Sequence, residues 1–280
     1  MKSFGKMLND ATFTDYFLRL KLLAKSVFKW ENLPNNMDEK WIESFLFDQG
    51  QCVFYDDPKR GLMVAECVSD GELNNYQEPA TVSPTGIDIP VLTLVPGENC
   101  VLISNNDERL PTEQTLKLFA YRLAEISRAI DLNVTAQKTP VLMHTSKNKV
   151  LSIKNIYAQW NGNEPVIYGD NSFDTEALRV LKTDAPVVFP ELQQQKIAMW
   201  NECLTFLGIN NANTEKRERL ITDEVEANND HIDLSAGCML KARQRAADEI
   251  NRIFGTKICV KLRREDKEEC MQDTPNFSET

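Results

Sequence analysis

Histidine is nearly absent: His144 and His231 are the two in 280 residues. They form no H-x-x-x-H pair, and neither stands near a G-x-S-x-G turn, so spacing supports neither a zincin nor a Ser–His hydrolase. Glycine is sparse at 11 residues, and both G-x-x-x-x-G-K-[ST] and G-x-G-x-x-G are missing. Without such a loop the chain has no cradle for nucleotide phosphates, which argues against an ATPase. The seven cysteines (52, 67, 100, 203, 238, 259 and 270) contain no C-x-x-C pair and no zinc spacing with either histidine. An odd count without a leader predicts reduced thiols in a cytosolic compartment. Met1-Lys2-Ser3-Phe4-Gly5-Lys6 has no apolar stretch behind it, and no run approaches the roughly 18 apolar residues of a membrane span. Asn133-Val134-Thr135 and Asn276-Phe277-Ser278 match the glycosylation pattern by chance. The expected product is soluble, has no membrane partner and carries no internal repeat.

Basic patches interleaved with aromatics are missing after residue 30, so there is no stacking platform and no recognition helix. Positive charge is in deficit overall: 32 Lys and Arg face 42 Asp and Glu, a formal net charge of -10 with pI near 4.9. The deficit is uneven. Residues 1–30 hold six bases and two acids, a net +4, which leaves -14 for the rest. That basic end is either a solvated face of a core helix or an edge that meets a nucleic acid or an acidic partner. Paired acids were weighed as Mg²⁺ ligands of a nuclease. Asp223-Glu224 with Glu226 lies in a stretch expected to be flexible. Glu265-Asp266-Lys267 has no matching acid on a preceding strand, and Asp170–Asp174 lacks the glycine and final glutamate of a calcium loop. All three are read as solvated acids, and no metal or cofactor is expected.

What the chain does have is ordinary core-forming material: 42% hydrophobic and 26% charged residues, enough for one or two folded domains. Thr12-Phe13-Thr14-Asp15 fits a capping box before an amphipathic helix with Tyr16, Phe17, Leu20, Leu23, Val27 and Trp30. A second helix is expected from Asp38, packing Trp41, Ile42 and Phe45. Short β-like runs follow at Cys52–Tyr55, Leu62–Val68, Ile87–Leu94 and Val101–Ile103. Pro79, Pro84, Pro90 and Pro96 favour turns or edge strands there.

Between Pro111 and Pro140, Leu116, Phe119, Leu123, Ile126 and Ile130 are spaced 3, 4, 3, 4. This is the seam of a helix about 20 residues and roughly 30 Å long, which wants helices as neighbours. A compact insert is expected next. It has a strand at Val141–Met143, a helix from Ser152 burying Ile153, Ile156, Tyr157 and Trp160, and a strand at Pro165–Tyr168. A short helix from Asp174 would hold Leu178 and Leu181. Pro190 then opens a second long helix, with Leu192, Ile197, Trp200, Leu204 and Leu207 inward and Gly208 as its stop. Residues 209–237 are polar, with a weak helix at Glu215–Val225 and an unpacked section from Glu226 to Gly237. A helix over 238–254 ends at Gly255, Lys257–Leu262 closes as a strand, and a disordered tail follows Arg263. The fold class is α+β, mainly helical.

Several stretches are similar, almost word for word, to a known family. They are Trp30-Glu31-Asn32-Leu33-Pro34, Phe54-Tyr55-Asp56-Asp57-Pro58 and Ala136-Gln137-Lys138-Thr139-Pro140-Val141-Leu142. Further on come Gly162-Asn163-Glu164-Pro165-Val166-Ile167, Lys182-Thr183-Asp184-Ala185-Pro186 and Thr205-Phe206-Leu207-Gly208-Ile209 through Asn211-Ala212-Asn213. Glu218-Arg219 and Thr222-Asp223-Glu224-Val225 complete the set. The chain thereby resembles, from about residue 16 to 262, the portal proteins of Picovirinae-type short-tailed bacteriophages, also called upper collar or head–tail connector proteins.

The resemblance implies a non-enzymatic, homododecameric ring at one capsid vertex of the virion, assembled in the host cytoplasm. Double-stranded DNA would pass through it without regard to sequence. The implied partners are a packaging ATPase, the major capsid and scaffold proteins, and the lower collar and tail proteins. A packaging RNA would meet the N-terminal end, which here is only Met1 to Lys6. The implied parts are a wing (1–110, rejoined by 238–262), stem helices (111–140 and 190–208) and a clip (141–189). A linker and tunnel loop (209–237) and the tail (263–280) complete the chain. Lys182 falls on one lysine-ring position of the channel; a second corresponds to Glu191, with Lys196 one or two turns along. Thr222, Asp223, Glu224, Asn228, Asn229 and Asp230 match the loop beside the duplex. Repeated over a dodecamer, -10 per chain becomes about -120, a wall that repels a polyanion and keeps sliding friction low. A lower collar or tail adaptor ring, and a metal-dependent nuclease, remain as rivals.

Overall fold

The structure is a computed structural model describing residues 4–69, 71–76, 78–87, 89, 91–137, 141–143, 178–180, 186–210 and 222–263. Side chains of 4–6, 136, 141–143, 178–180 and 222–231 are outside that description. The chain divides into two compact units, Met1–Glu125 with Lys196–Thr280, and Ile126–Gln195. The architecture mixes helix and sheet, as the α+β expectation requires.

The first unit opens with α1 (Phe4–Lys25). The capping box at Thr12 is corrected: Thr12 Oγ1 donates to Leu8 O at 2.8 Å and Thr14 Oγ1 to Asp10 O at 2.7 Å. Both hydroxyls therefore bond one turn back, inside a helix that has already begun. Val27 and Trp30 are not on this helix either. After Lys25 the period changes to two, and in β1 (Phe28–Glu31) Phe28 and Trp30 are buried while Lys29 and Glu31 lie between them on the outer face. β1 pairs antiparallel with β8 (Cys259–Leu262), so the two ends of the unit close on each other.

Asp38 caps α2 (Glu39–Gln49) as expected, its side chain accepting from Lys40 N. Gly50 ends it at φ 82°, with its N–H on Leu46 O. A Cβ there would overlap Arg109 O, so this position needs glycine for both torsion and space. Trp41, expected inside, is 54% exposed under the Lys40 ammonium; the helix instead buries Ile42, Glu43, Leu46 and Phe47.

A four-stranded antiparallel sheet follows, in the order β4-β3-β2-β5. Its strands are β2 (Gln51–Asp57), β3 (Gly61–Ser69), β4 (Val82–Thr85) and β5 (Cys100–Ser104). Among the described residues of Ile87–Leu94 the expected strand does not form: Leu94 makes an isolated bridge to Val82, while Ile87 and Val91 stand in solvent. Proline removes ladder donors in this stretch, and Pro84 is accommodated because β4 is an edge. On one face of the sheet Cys52, Phe54 and Ile103 join Ile42, Leu46, Ile250 and Val260; on the other Val53, Tyr55 and Cys100 join Val82 and Leu94.

The long seam lies on α3 (Glu113–Gln137). Leu116, Phe119 and Leu123 are buried with Leu20 and Ala24 of α1 and with Cys203 and Leu207. The last two belong to α4 (Phe189–Phe206) and to the turn after it, which Gly208 makes at φ 72°. A Cβ on Gly208 would collide with Ala236, so the chain can pass this close to its neighbour only without a side chain.

The largest correction concerns residues 222–237. The sequence suggests a weak helix up to Val225, an unpacked section over 226–237 and a last helix starting at 238. Instead α5 runs unbroken over Thr222–Phe254. Ile232 and Ala236 are buried and extend toward the N-terminus the seam of Arg243, Ala246, Ala247 and Ile250, while Ser235 Oγ donates to Phe206 O at 2.6 Å. Ile232 and Ala236 suffice to dock this part of the helix, whose outer side carries Leu234 at 69% exposure.

In the second unit, β6 (Val141–Met143) pairs antiparallel with β7 (Leu178–Val180), Val141 opposite Val180. The expected helix over Leu178 is thus a strand; two leucines three apart are compatible with a helical turn but cannot impose one. Asn133 clasps the entry to α4. Its Nδ2 donates to Pro186 O at 2.8 Å, and its Oδ1 accepts from Val188 N and Phe189 N at 3.1 and 3.2 Å. This tertiary cap satisfies amides that no helical carbonyl reaches. The expectations for 152–160, 165–168, 215–221 and the tail after 263 lie outside the described residues.

Candidate nucleic-acid channel residues

Of the residues expected beside DNA, Lys196 is the one whose side chain has a defined seat. It rises half-buried from α4, and its Nζ lies 6.0 Å from the centroid of the Tyr16 ring on α1. Tyr16 in turn leans on Trp200, centroids 6.4 Å apart. The ammonium therefore rests at the outer limit of attraction to an aromatic face. Among the described residues no ion pair to a carboxylate accompanies it.

Glu191 is exposed in the first turn of α4. There a carboxylate meets the positive end of the helix dipole, which gives the acid at this position a local physical reason. It belongs to the second unit and Lys196 to the first, so the structure sets no side-chain arrangement between them. Lys182 lies outside the described residues. Thr222, Asp223, Glu224, Asn228, Asn229 and Asp230 occupy the opening turns of α5, and their side chains are not described. Asp223 and Glu224 again sit at a helix N-terminus, where acids are favoured.

Sequence reasoning missed the buried polar assembly that joins the described elements of the first unit. Arg243 and Glu43 are each 2% exposed. Arg243 Nε and Nη2 donate to the two Glu43 oxygens at 2.9 and 2.8 Å. Nη1 donates to Asn105 O and Met239 O, Nη2 also to Asn105 Oδ1, and the guanidinium stacks 4.0 Å from the Phe28 centroid. All five guanidinium donors are used. Trp30 Nε1 donates to Glu43 Oε1 at 2.9 Å, and Asn105 Nδ2 to Thr112 Oγ1 at 2.9 Å. The group joins α2, β1, the exit of β5 and α5. It holds the unit together and, being buried, does not face a substrate. One signal was available: Glu43 and Arg243 are opposite charges that each interrupt an apolar helical seam.

A polar cleft of about 640 Å³ opens beside α5, lined among others by Tyr76, Glu78, Asp107, Arg109, Arg245 and Glu249. Arg245 pairs with Asp107, and Arg252 with Glu249 at 3.5 Å while also donating to Gly97 O. Among the described residues no cluster of His, Cys, Asp and Glu could hold a metal. Burial pushes the Cys100 and Cys203 thiols up to about 12 and Cys67 up to about 11, with smaller contributions from nearby Cys67, Glu202 and Glu66 respectively. Such thiols stay protonated and are poor nucleophiles.

The model of the phage connector (GP10) family matches residues 5–267. Among solved structures, the portal and tail of native bacteriophage P68 align with TM-score 0.53 at 14% identity, over 96% of this chain and 94% of that one. The likeness is one of fold. An HK97-family phage portal protein from Corynebacterium diphtheriae aligns with TM-score 0.46 at 11% identity, over 95% of this chain and 98% of that one.

Proposed function

The chain belongs to the phage connector (GP10) family and is a portal protein of the virion's head–tail vertex, and from that premise we propose that its copies close into a dodecamer around an axial DNA channel. The observation that carries the proposal is the extent of the family match, residues 5–267, nearly the whole chain. One feature of the fold supports it. The amphipathic helices α3 and α4 each continue from one unit into the other, as stem helices joining wing and clip would. Identical chains that meet head to tail through two different surfaces form a ring when the rotation closes.

In this reading the dodecamer passes double-stranded DNA inward during packaging, retains it and releases it through the tail. Net charge supports the transit role. Each lysine that settles on a phosphate releases counterions and adds affinity, which for a sliding duplex is drag. An acidic ring with a few bases (Lys182, Lys196) centres the polyanion without holding it. Glu191 and the opening turns of α5, Thr222 to Asp230, then face the passing duplex. The family is a structural one, and this chain is read as non-enzymatic: a packaging ATPase docked on it supplies the energy. Capsid, scaffold and lower collar proteins meet its other surfaces, and the basic N-terminal end is where a packaging RNA would bind. Service in a Picovirinae-type phage rests on the word-level likeness alone.

A defined packaging reaction tests this. Omitting the chain leaves no nuclease-protected DNA, and Lys182→Ala changes transit equally for all sequences and more at low salt. A tail adaptor would permit packaging and fail afterwards. Plasmid nicked by the pure protein with Mg²⁺ would instead reveal a nuclease.

A further inference from the structure

The reading above uses the basic N-terminal end only as a contact for a packaging RNA, but the helix that follows, α1, presents a second kind of surface. This helix is apolar on two sides. Its inner side carries Phe13, Phe17, Leu20 and Ala24 into the core. Met7, Ala11, Leu18 and Leu22, spaced 4, 7 and 4, form a second stripe on the opposite side, and Leu22 is 71% exposed. That stripe is about 22 Å long. A helix with apolar residues all round is normally enclosed. Here one side has no cover among the described residues.

A second uncovered apolar region lies between β3 and β5. Tyr76, Ile87 and Val91 are 86, 96 and 94% exposed, and Leu73 is exposed beside them. Three such side chains in one segment exceed the scattered exposure usual for a surface. The charges of the two regions are opposite. Residues 69–95 contain Asp70, Glu72, Glu78 and Asp88 and no Lys, Arg or His, whereas residues 1–30 are net +4, with Arg19 paired to Asp15, Lys21 to Asp48 and Lys29 to Glu31, and Lys25 beside the stripe. The two patches differ, occur on every copy, and match in both polarity and sign.

We infer that the outer stripe of α1 on one copy docks the acidic apolar arm, residues 69–95, of the next copy, so that this pair of patches is one of the contacts closing the ring. The inference rests on the ring proposed above and names its surfaces. Apolar burial at the stripe supplies affinity, and the opposed charges fix which face meets which. The same patch cannot dock itself, because two basic stripes or two acidic arms repel. The contact is therefore head to tail.

A photo-cross-linking phenylalanine at Leu22 of the full-length chain tests this, in rings purified alone and in rings taken from assembled heads. The expected adduct joins residue 22 to a peptide from 69–95 of another copy. Adducts elsewhere on the neighbour, on the shell protein or on nucleic acid overturn the inference. Leu22→Glu and, separately, Ile87→Glu should raise the dissociation constant of the ring tenfold or more while circular dichroism is unchanged. Arg19→Glu with Lys25→Glu should weaken it likewise, with recovery on adding Glu72→Lys and Glu78→Lys. A ring indifferent to all of these contradicts the inference alone. A wild-type chain that forms no ring contradicts the reading beneath it.

Discussion

The two halves of α3 make the comparison between the units of this protein concrete. In the first unit, Leu116, Phe119, Ala120, Leu123 and Ala124 are buried. Beyond Glu125, in the second unit, Ile126 and Ile130 continue the same seam but stay half-exposed, and Leu132 and Val134 stand in solvent. Val187, Val188 and Phe189 at the entry to α4 are exposed too. One uninterrupted apolar pattern thus has two fates. The first unit supplies its own cover from α1, α2 and α4 with the turn after it. The described part of the second holds its backbone by the Asn133 clasp and leaves its apolar side chains without cover. The difference teaches that periodicity specifies a helix, whereas burial depends on what the rest of the chain, or another chain, brings to it.

The sharpest test of a self-sufficient first unit is Arg243. Arg243→Ala strands the Glu43 carboxylate without its partner in the interior, and thermal melts should show a loss of about 3–5 kcal/mol. Replacing both residues by leucine should recover most of that loss. A single variant as stable as wild type would mean that the network is not what joins α2 to α5. Next in size is the seam itself. Leu123→Ala should cost about 2–5 kcal/mol, as emptied core sites do, and Ile130→Ala under about 1 kcal/mol in the isolated chain. Equal losses would erase the distinction between the two halves. Asn133→Ala removes the clasp and should cost about 1 kcal/mol, seen as faster hydrogen exchange at the Val188 and Phe189 amides with the first unit unchanged.

The smallest effect concerns the thiols. At pH 8 an alkylating reagent should label the exposed Cys238 and Cys259 and spare Cys52, Cys100 and Cys203, which mass spectrometry reads directly. The pH dependence has a definite sign. A thiol held above its ordinary value keeps its proton in the folded state, while the unfolded chain releases it from about 9 upward. Stability therefore falls as pH rises from about 9 toward the folded values of about 11 and 12, and not below that window. A chain equally stable at pH 8 and pH 11 would contradict the burial of these thiols.

Much of this organisation was readable from residue spacing. α2 with its Asp38 cap, β2, β3, β5, the α3 seam, α4 with its Gly208 stop and the closing strand β8 all follow local rules. They are elements in which cap, period and breaker agree. The misreadings share a cause: local signals that compete. Thr12 has the side chain of a cap but sits where a helix is already running, so its hydroxyl bonds backward to Leu8 O. Residues 222–237 are rich in acids and asparagine, and their helicity depends on Ile232 and Ala236 finding a surface, which composition does not disclose. Glu43 and Arg243 are 200 positions apart and meet only once the fold exists. The channel residues were legible by family likeness rather than by chemistry. Among them only Lys196 and Glu191 have described side chains, and nothing in their surroundings marks them as a site.

A cryo-EM map of the purified full-length protein tests the central claim most directly. The account predicts a closed ring of twelve copies of the 32.0 kDa chain, with α3 and α4 bordering the hole and an acidic wall interrupted by Lys182 or Lys196. A monodisperse monomer at micromolar concentration, a ring with those helices away from the hole, or a wall that is mainly cationic would contradict it.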